Sequence, residues 1–101
     1  MTNIYIIIIC IAFSFGRPTL LSPVNQDTLN YLHIPFKWSQ ASNATNYEIQ
    51  VSADIEFDSI IYSSFQPYLL EFITNEFDWG NEYFWRVRCY YHDGSSGAWS
   101  D

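Results

Sequence analysis

The side chains able to do chemistry in this 101-residue chain are eleven Asp and Glu, two His and two Cys. Asp54, Glu56 and Asp58 alternate through Asp54-Ile55-Glu56-Phe57-Asp58, which could line a calcium loop. The segment lacks the Gly and the terminal bidentate Glu of an EF-hand. Glu48, Glu71, Glu82 and Asp78 offer carboxylate pairs of the kind glycosidases use. Carboxylates alternating with apolar residues are equally what a solvated strand face provides, and a catalytic pair needs a cleft that a small lone domain rarely makes. His33 and His92 have no third ligand at metal spacing and no accompanying nucleophile motif. The expectation is therefore a chain with no catalytic residue, no metal ligand set and no cofactor, and hence no enzyme.

Charge narrows the partners. The formal net charge is −7, with only Arg17, Lys37, Arg86 and Arg88 opposing the acids. Phosphate neutralisation needs a basic face, so nucleic acid is excluded as a partner, as is an anionic membrane surface. The acid instead keeps an aromatic-rich domain soluble.

Any such group must be positioned by strands. In Tyr83-Phe84-Trp85-Arg86-Val87-Arg88-Cys89, aromatic and β-branched residues alternate with charged ones. An extended strand would bury Tyr83, Trp85, Val87 and Cys89 and turn Phe84, Arg86 and Arg88 outward. Ile34, Phe36 and Trp38 alternate inward in the same way. Pro35 cannot donate a ladder hydrogen bond, which predicts either pairing that starts at Phe36 or a bulge. Tyr47, Ile49 and Val51 alternate with outward Glu48, Gln50 and Ser52. Residues 19–21, 59–65 and 68–73 are further extended runs, with turn chemistry at Ser22-Pro23-Val24-Asn25-Gln26-Asp27 and Gln66-Pro67. Short strands at regular intervals with no helical period predict an all-β antiparallel sandwich. Eight Tyr, eight Phe and four Trp supply the bulk that so short a chain needs for a core.

Residues 4–13 are a short, almost purely apolar stretch ending in small residues and the polar break at Arg17-Pro18. A membrane-spanning helix needs roughly 20 apolar residues, so no stable membrane span is expected and residues 1–16 read as a signal peptide. Ala12 and Ser14, or Ser14 and Gly16, would fill the small positions before the cleavage site. Met1-Thr2-Asn3 lacks the usual Lys or Arg, which keeps an uncleaved anchor or a mis-assigned start as the alternatives. Cys10 would leave with the leader, and lipidation there lacks a small residue just before the cysteine. Cys89 sits on an inward face as a free thiol, so no disulfide is expected. The remaining residues 17–101 form one domain of an exported protein, secreted or held at the cell surface.

Ser22-Pro23-Val24-Asn25, Phe36-Lys37-Trp38-Ser39, Ala44-Thr45-Asn46-Tyr47-Glu48-Ile49-Gln50-Val51-Ser52 with Phe57 beyond, Tyr83-Phe84-Trp85-Arg86-Val87-Arg88 and Gly97-Ala98-Trp99-Ser100 follow in an order that resembles a fibronectin type III-like module. The variant is the kind repeated in secreted and cell-surface bacterial proteins. The resemblance implies an immunoglobulin-like sandwich in which Trp38 and Trp85 are core residues and Tyr83 forms a tyrosine corner. It also implies that Phe57 points inward from a polar connection, and that Arg86 and Arg88 stack on Trp99. Ser96-Gly97 stands where related receptor modules carry a first Trp-Ser pair, a departure that implies a shorter Trp-Arg ladder. Most of a final strand beside residues 83–91 is missing from the pattern, which implies that the native polypeptide continues into further domains. A bacterial source would make the sequon Asn43-Ala44-Thr45 accidental.

Trp79, Phe84 and Tyr90 are the candidate contact surface. The expected role is a non-catalytic interaction or spacer module, with protein-protein or adhesion-type contacts to a protein or glycan at the cell surface. The alternatives are a carbohydrate-binding module and an accessory N-terminal domain of a larger extracellular enzyme.

Overall fold

A computed structural model describes residues 3–7, 17–30 and 32–100. These residues contain eight strands and no helix: β1 (Ile4–Ile7), β2 (Leu20–Ser22), β3 (Asp27–Leu29), β4 (Ile34–Trp38), β5 (Ala44–Ser52), β6 (Ile60–Gln66), β7 (Leu70–Ile73) and β8 (Glu82–Tyr91). They form two sheets, ordered β3-β1-β8-β5-β6 and β2-β4-β7. The all-β, two-sheet class expected from the alternating pattern is observed, but it is not wholly antiparallel, since β1 pairs parallel with β8.

Period-two alternation sets what each strand buries. Ile34, Phe36 and Trp38 from β4 meet Tyr47, Ile49 and Val51 from β5 and Tyr83, Trp85, Val87 and Cys89 from β8 in one core. The Trp85 ring stands edge-on to Phe36 at 4.9 Å and lies 6.4 Å from Trp38, joining the two sheets. Cys89 is fully buried. Both indole N–H groups, of Trp38 and Trp85, are buried without a hydrogen-bond partner. Burial of the rings therefore outweighs the desolvation of those two donors.

Three local expectations are corrected. Regular pairing in β4 begins at Ile34, and Pro35 pairs with Phe72 without a bulge. The β2 neighbour reaches only Lys37 and Trp38, so the missing N–H of Pro35 falls beyond it. Ser52 is fully buried rather than outward. Its hydroxyl is held by Asp54 Oδ1 at 2.8 Å and accepts the Asp54 N–H at 3.1 Å. Finally, Phe57 is buried but stands outside the core cluster. Its backbone has a φ of 59°, which swings the ring over the outer side of the larger sheet.

At the amino end, residues 4–7 run parallel to β8, in register Tyr5 with Glu82, Ile6 with Tyr83 and Ile7 with Phe84. On their other side they pair antiparallel with β3. Ile4 and Ile6 are fully buried and Tyr5 faces outward. The rest of the expected leader, residues 1–2 and residues 8–16 with Cys10 and the small residues before Arg17, lies outside the described residues, as does Asp101. Among the described residues no helix is long and apolar enough to cross a membrane.

Candidate functional site: an arginine-aromatic ladder and an acidic depression

Two surface features are built by the larger sheet. The first lies on its outer face, where β8 presents Phe84, Arg86, Arg88 and Tyr90 between the inward residues. The Arg86 guanidinium sits 4.1 Å from the ring centre of Phe57 and 4.0 Å from that of Trp99. Arg88 lies 4.4 Å from Trp99 and 5.4 Å from Tyr90, and Phe65 of β6 meets Tyr90 edge-on at 4.8 Å. The stack therefore runs Phe57, Arg86, Trp99, Arg88, Tyr90, Phe65. It is longer than the missing Trp-Ser pair implied, because Phe57 extends it at one end and Tyr90 with Phe65 at the other.

Neighbouring polar groups hold the guanidinium planes. Register places Gln50 opposite Arg86 and Glu48 opposite Arg88. Arg86 donates from Nε and Nη2 to Gln50 Oε1 at 3.0 and 2.7 Å. Arg88 Nε donates to Glu48 Oε1 at 3.0 Å, and the Tyr90 hydroxyl donates to the same oxygen at 2.9 Å. Burial, then the charge of Arg88, pulls Arg86 below the ordinary arginine range, with Glu48 opposing. The hydrogen bond to Glu48 raises Tyr90. These partly buried contacts fix side chains that would otherwise be mobile, and each cation-π contact contributes about 0.5 to 2 kcal/mol.

The second feature is a depression of about 530 Å³ at the end of the sheet where β8 begins. Glu76, Asp78 and Glu82 line it together with Ala53, Ile61, Gly80 and Tyr83. The Tyr83 hydroxyl accepts the backbone N–H of Asp78 at 2.7 Å across the turn that leads into β8. Phe77 packs edge-on against the same ring at 4.8 Å. Gly80, at φ 82°, makes the reversal. Trp79 stands exposed at this turn, between Asp78 and Gly80 in the chain, both of which line the depression.

Of the expected contact residues, Trp79 and Phe84 thus belong to the β8-start end and Tyr90 to the opposite end. Phe84 and Tyr90 are six positions apart on one strand, about 20 Å at 3.3 Å per residue. Among the described residues no ring contact joins any two of the three. The structure brings Tyr90 together with Phe65, Glu48 and Arg88 instead. Phe65 is 58% exposed, and its place beside Tyr90 depends on the pairing of β5 with both β6 and β8, which no local pattern displays.

The other chemistry-bearing groups are spread out. Asp54 accepts the N–H groups of Ser59 at 2.7 Å and Asp58 at 3.2 Å, so it closes its own loop. These bonds, Ser59 first and then Ser52, lower its pKa. His33 stacks on Phe72 with ring centres 4.9 Å apart, and its Nδ1 meets the Thr74 hydroxyl. His92 lies exposed in the turn after β8. Glu71 accepts the Tyr62 hydroxyl, tying β7 of the smaller sheet to β6 of the larger one. Among the described residues no three His, Cys, Asp or Glu side chains converge as metal ligands. Comparison of the chain with known protein families, with curated proteins and with solved structures finds no match.

Proposed function

We propose that residues 17–101 form a fibronectin type III-like module of an exported protein, secreted or displayed at the cell surface, that acts by binding rather than by catalysis. The reading takes residues 1–16 as the leader and further domains of the same polypeptide as neighbours. The observation that carries it is the corner at the start of β8, where the Tyr83 hydroxyl closes onto the Asp78 N–H. The neighbour order supports it in part, with β2, β4 and β7 in one sheet and β8, β5 and β6 in the other, where β1 and β3 extend the β8 edge.

The ladder favours a scaffold role. Its guanidinium groups, Glu48 and Gln50 are engaged with one another, which stiffens the face instead of leaving charges poised for reaction. Binding then falls to the ends of the sandwich and to its exposed rings. Purified chain applied to arrays of cell-surface proteins and glycans is expected to retain a partner without turning over ester, peptide or glycoside substrates. Turnover by the purified chain would defeat this reading.

One observation favours a carbohydrate as the partner. Exposed Trp79 stands beside a depression whose three carboxylates can accept hydroxyl hydrogen bonds. Glycan binding lost in Trp79→Ala and kept in Tyr90→Ala would place the sugar there, since the two rings belong to opposite ends of β8.

A further inference from the structure

Two separate segments share one edge of β8. Residues 96–100 return antiparallel along its second half: Tyr90 bridges Ser96, the Gly97 N–H reaches the Cys89 carbonyl at 2.8 Å, and the Ser100 N–H reaches that of Val87 at 2.7 Å. Along its first half the same edge is taken by β1, running the other way. The seat of β1 is two-sided, with β3 as its other wall. The Tyr5 N–H donates to the Asn81 carbonyl at 3.1 Å and the Gly80 N–H to that of Asn3 at 2.6 Å. Below the backbone, Ile4 and Ile6 fill sockets in the core with no exposed surface.

The strand in this seat belongs to the stretch read as a leader. Once that stretch has gone, β3 and the start of β8 are left with unpaired edges over two apolar sockets. Such an edge invites another strand. We infer that the slot between β3 and β8 is a strand-acceptor site. Its occupant in the exported protein is an extended segment of a second polypeptide with branched apolar side chains at alternate positions, added parallel to β8 as β1 is. The parallel sense argues for a separate segment, because a parallel neighbour cannot be reached from the end of β8 by a tight turn and needs a crossover of about a dozen residues or more. Main-chain bonds to β3 and β8 hold the added strand, and the sockets of Ile4 and Ile6 select its side chains. The inference rests on the export reading above.

The test uses the whole chain with a protease site inserted between Gly16 and Arg17. After cutting, the two pieces are unfolded together in urea and refolded with an excess of labelled peptide covering residues 2–7 with a lysine tail. One labelled peptide per domain is expected, with hydrogen-exchange protection restored at Tyr83 and Trp85, whose N–H groups lie on the same edge of β8 as those of Val87 and Tyr91. The peptide carrying Ile4→Asp and Ile6→Asp should bind at least about a hundredfold more weakly, since each socket contributes about a tenfold factor or more. Equal uptake of the Asp peptide would overturn the proposal. So would recovery of the same protection with no peptide in the slot. Amino-terminal sequencing of the exported protein tests the leader separately: a start near Arg17 without peptide uptake sinks the slot alone, and residues 1–16 retained sink the leader reading and, because β1 then fills the slot itself, the second-chain occupant with it.

Discussion

The Arg86 guanidinium lies 4.0 Å above the ring of Trp99. That contact pins the returning segment 96–100 onto β8, because the same indole also covers Arg88 from within that segment. The ladder is thus a clasp between a strand and the chain that follows it. Ser100 completes the clasp, its Oγ accepting the Val87 N–H at 2.8 Å.

Trp99→Ala should destabilise the domain by about 1 to 4 kcal/mol, the sum of two cation-π contacts at about 0.5 to 2 kcal/mol each. Urea denaturation of the variant measures the loss. A midpoint equal to that of the parent chain would show that the stack is incidental.

Trp85→Ala should cost about 3 to 5 kcal/mol, as truncation of a large buried aromatic does. Total stability is about 5 to 15 kcal/mol in domains of this kind, so the variant should melt near body temperature. Trp85→Phe keeps the edge contact with Phe36 and removes an unpartnered N–H, and should cost markedly less. Calorimetry distinguishes the two variants, and equal losses would contradict the packing account.

Tyr83→Phe removes the acceptor for the Asp78 N–H while leaving the ring against Phe77. A loss of about 1 kcal/mol is expected, with faster amide exchange confined to residues 78–82. Unchanged exchange at Asp78 would show that the corner bond does not hold the turn.

Asp54 carries a pH dependence. Its folded pKa is lowered by the bonds from Ser59 and Ser52, so it lies below the unfolded value of about 3.9. The unfolded chain therefore takes up the proton first. The stabilisation is fully present above about pH 4 and fades as pH falls through the folded pKa. Asp54→Asn should be less stable than the parent at pH 7, and the gap should close in acid. A gap independent of pH would remove the carboxylate from the account.

Tyr62 makes the opposite case. Burial, then the hydrogen bond to Glu71, pushes its phenol up to about 12 from 10.0. This stabilisation is whole below about pH 10 and is lost as the pH rises through the folded value. Ultraviolet titration should show a late-ionising tyrosine that disappears in Tyr62→Phe. Persistence of that late step in the variant would assign it to another phenol.

Much of the core was legible beforehand. Tyr83, Trp85, Val87 and Cys89, with Ile34, Phe36 and Trp38, are buried as their alternation requires, because a strand's period of two is a property of consecutive residues and needs no partner to be seen. The pairing of Arg86 and Arg88 with Trp99 was also readable, through the resemblance. Its extension to Phe57 and Phe65 was not. Phe57 meets Arg86 from a loop position with a positive φ that no local pattern announces, and Phe65 meets Tyr90 across β5, which lies between β6 and β8.

Sequence alone thus determined the class of fold and most of the inward set, since both follow from composition and local periodicity. Tertiary structure decided who neighbours whom. It buried Ser52 against Asp54, separated Trp79 from Tyr90, and seated β1 parallel to β8 between two strands distant in the chain. Those outcomes depend on which edges meet when the sheets close, and backbone edges carry the same N–H and C=O groups whatever the side chains, so no local pattern could have announced them.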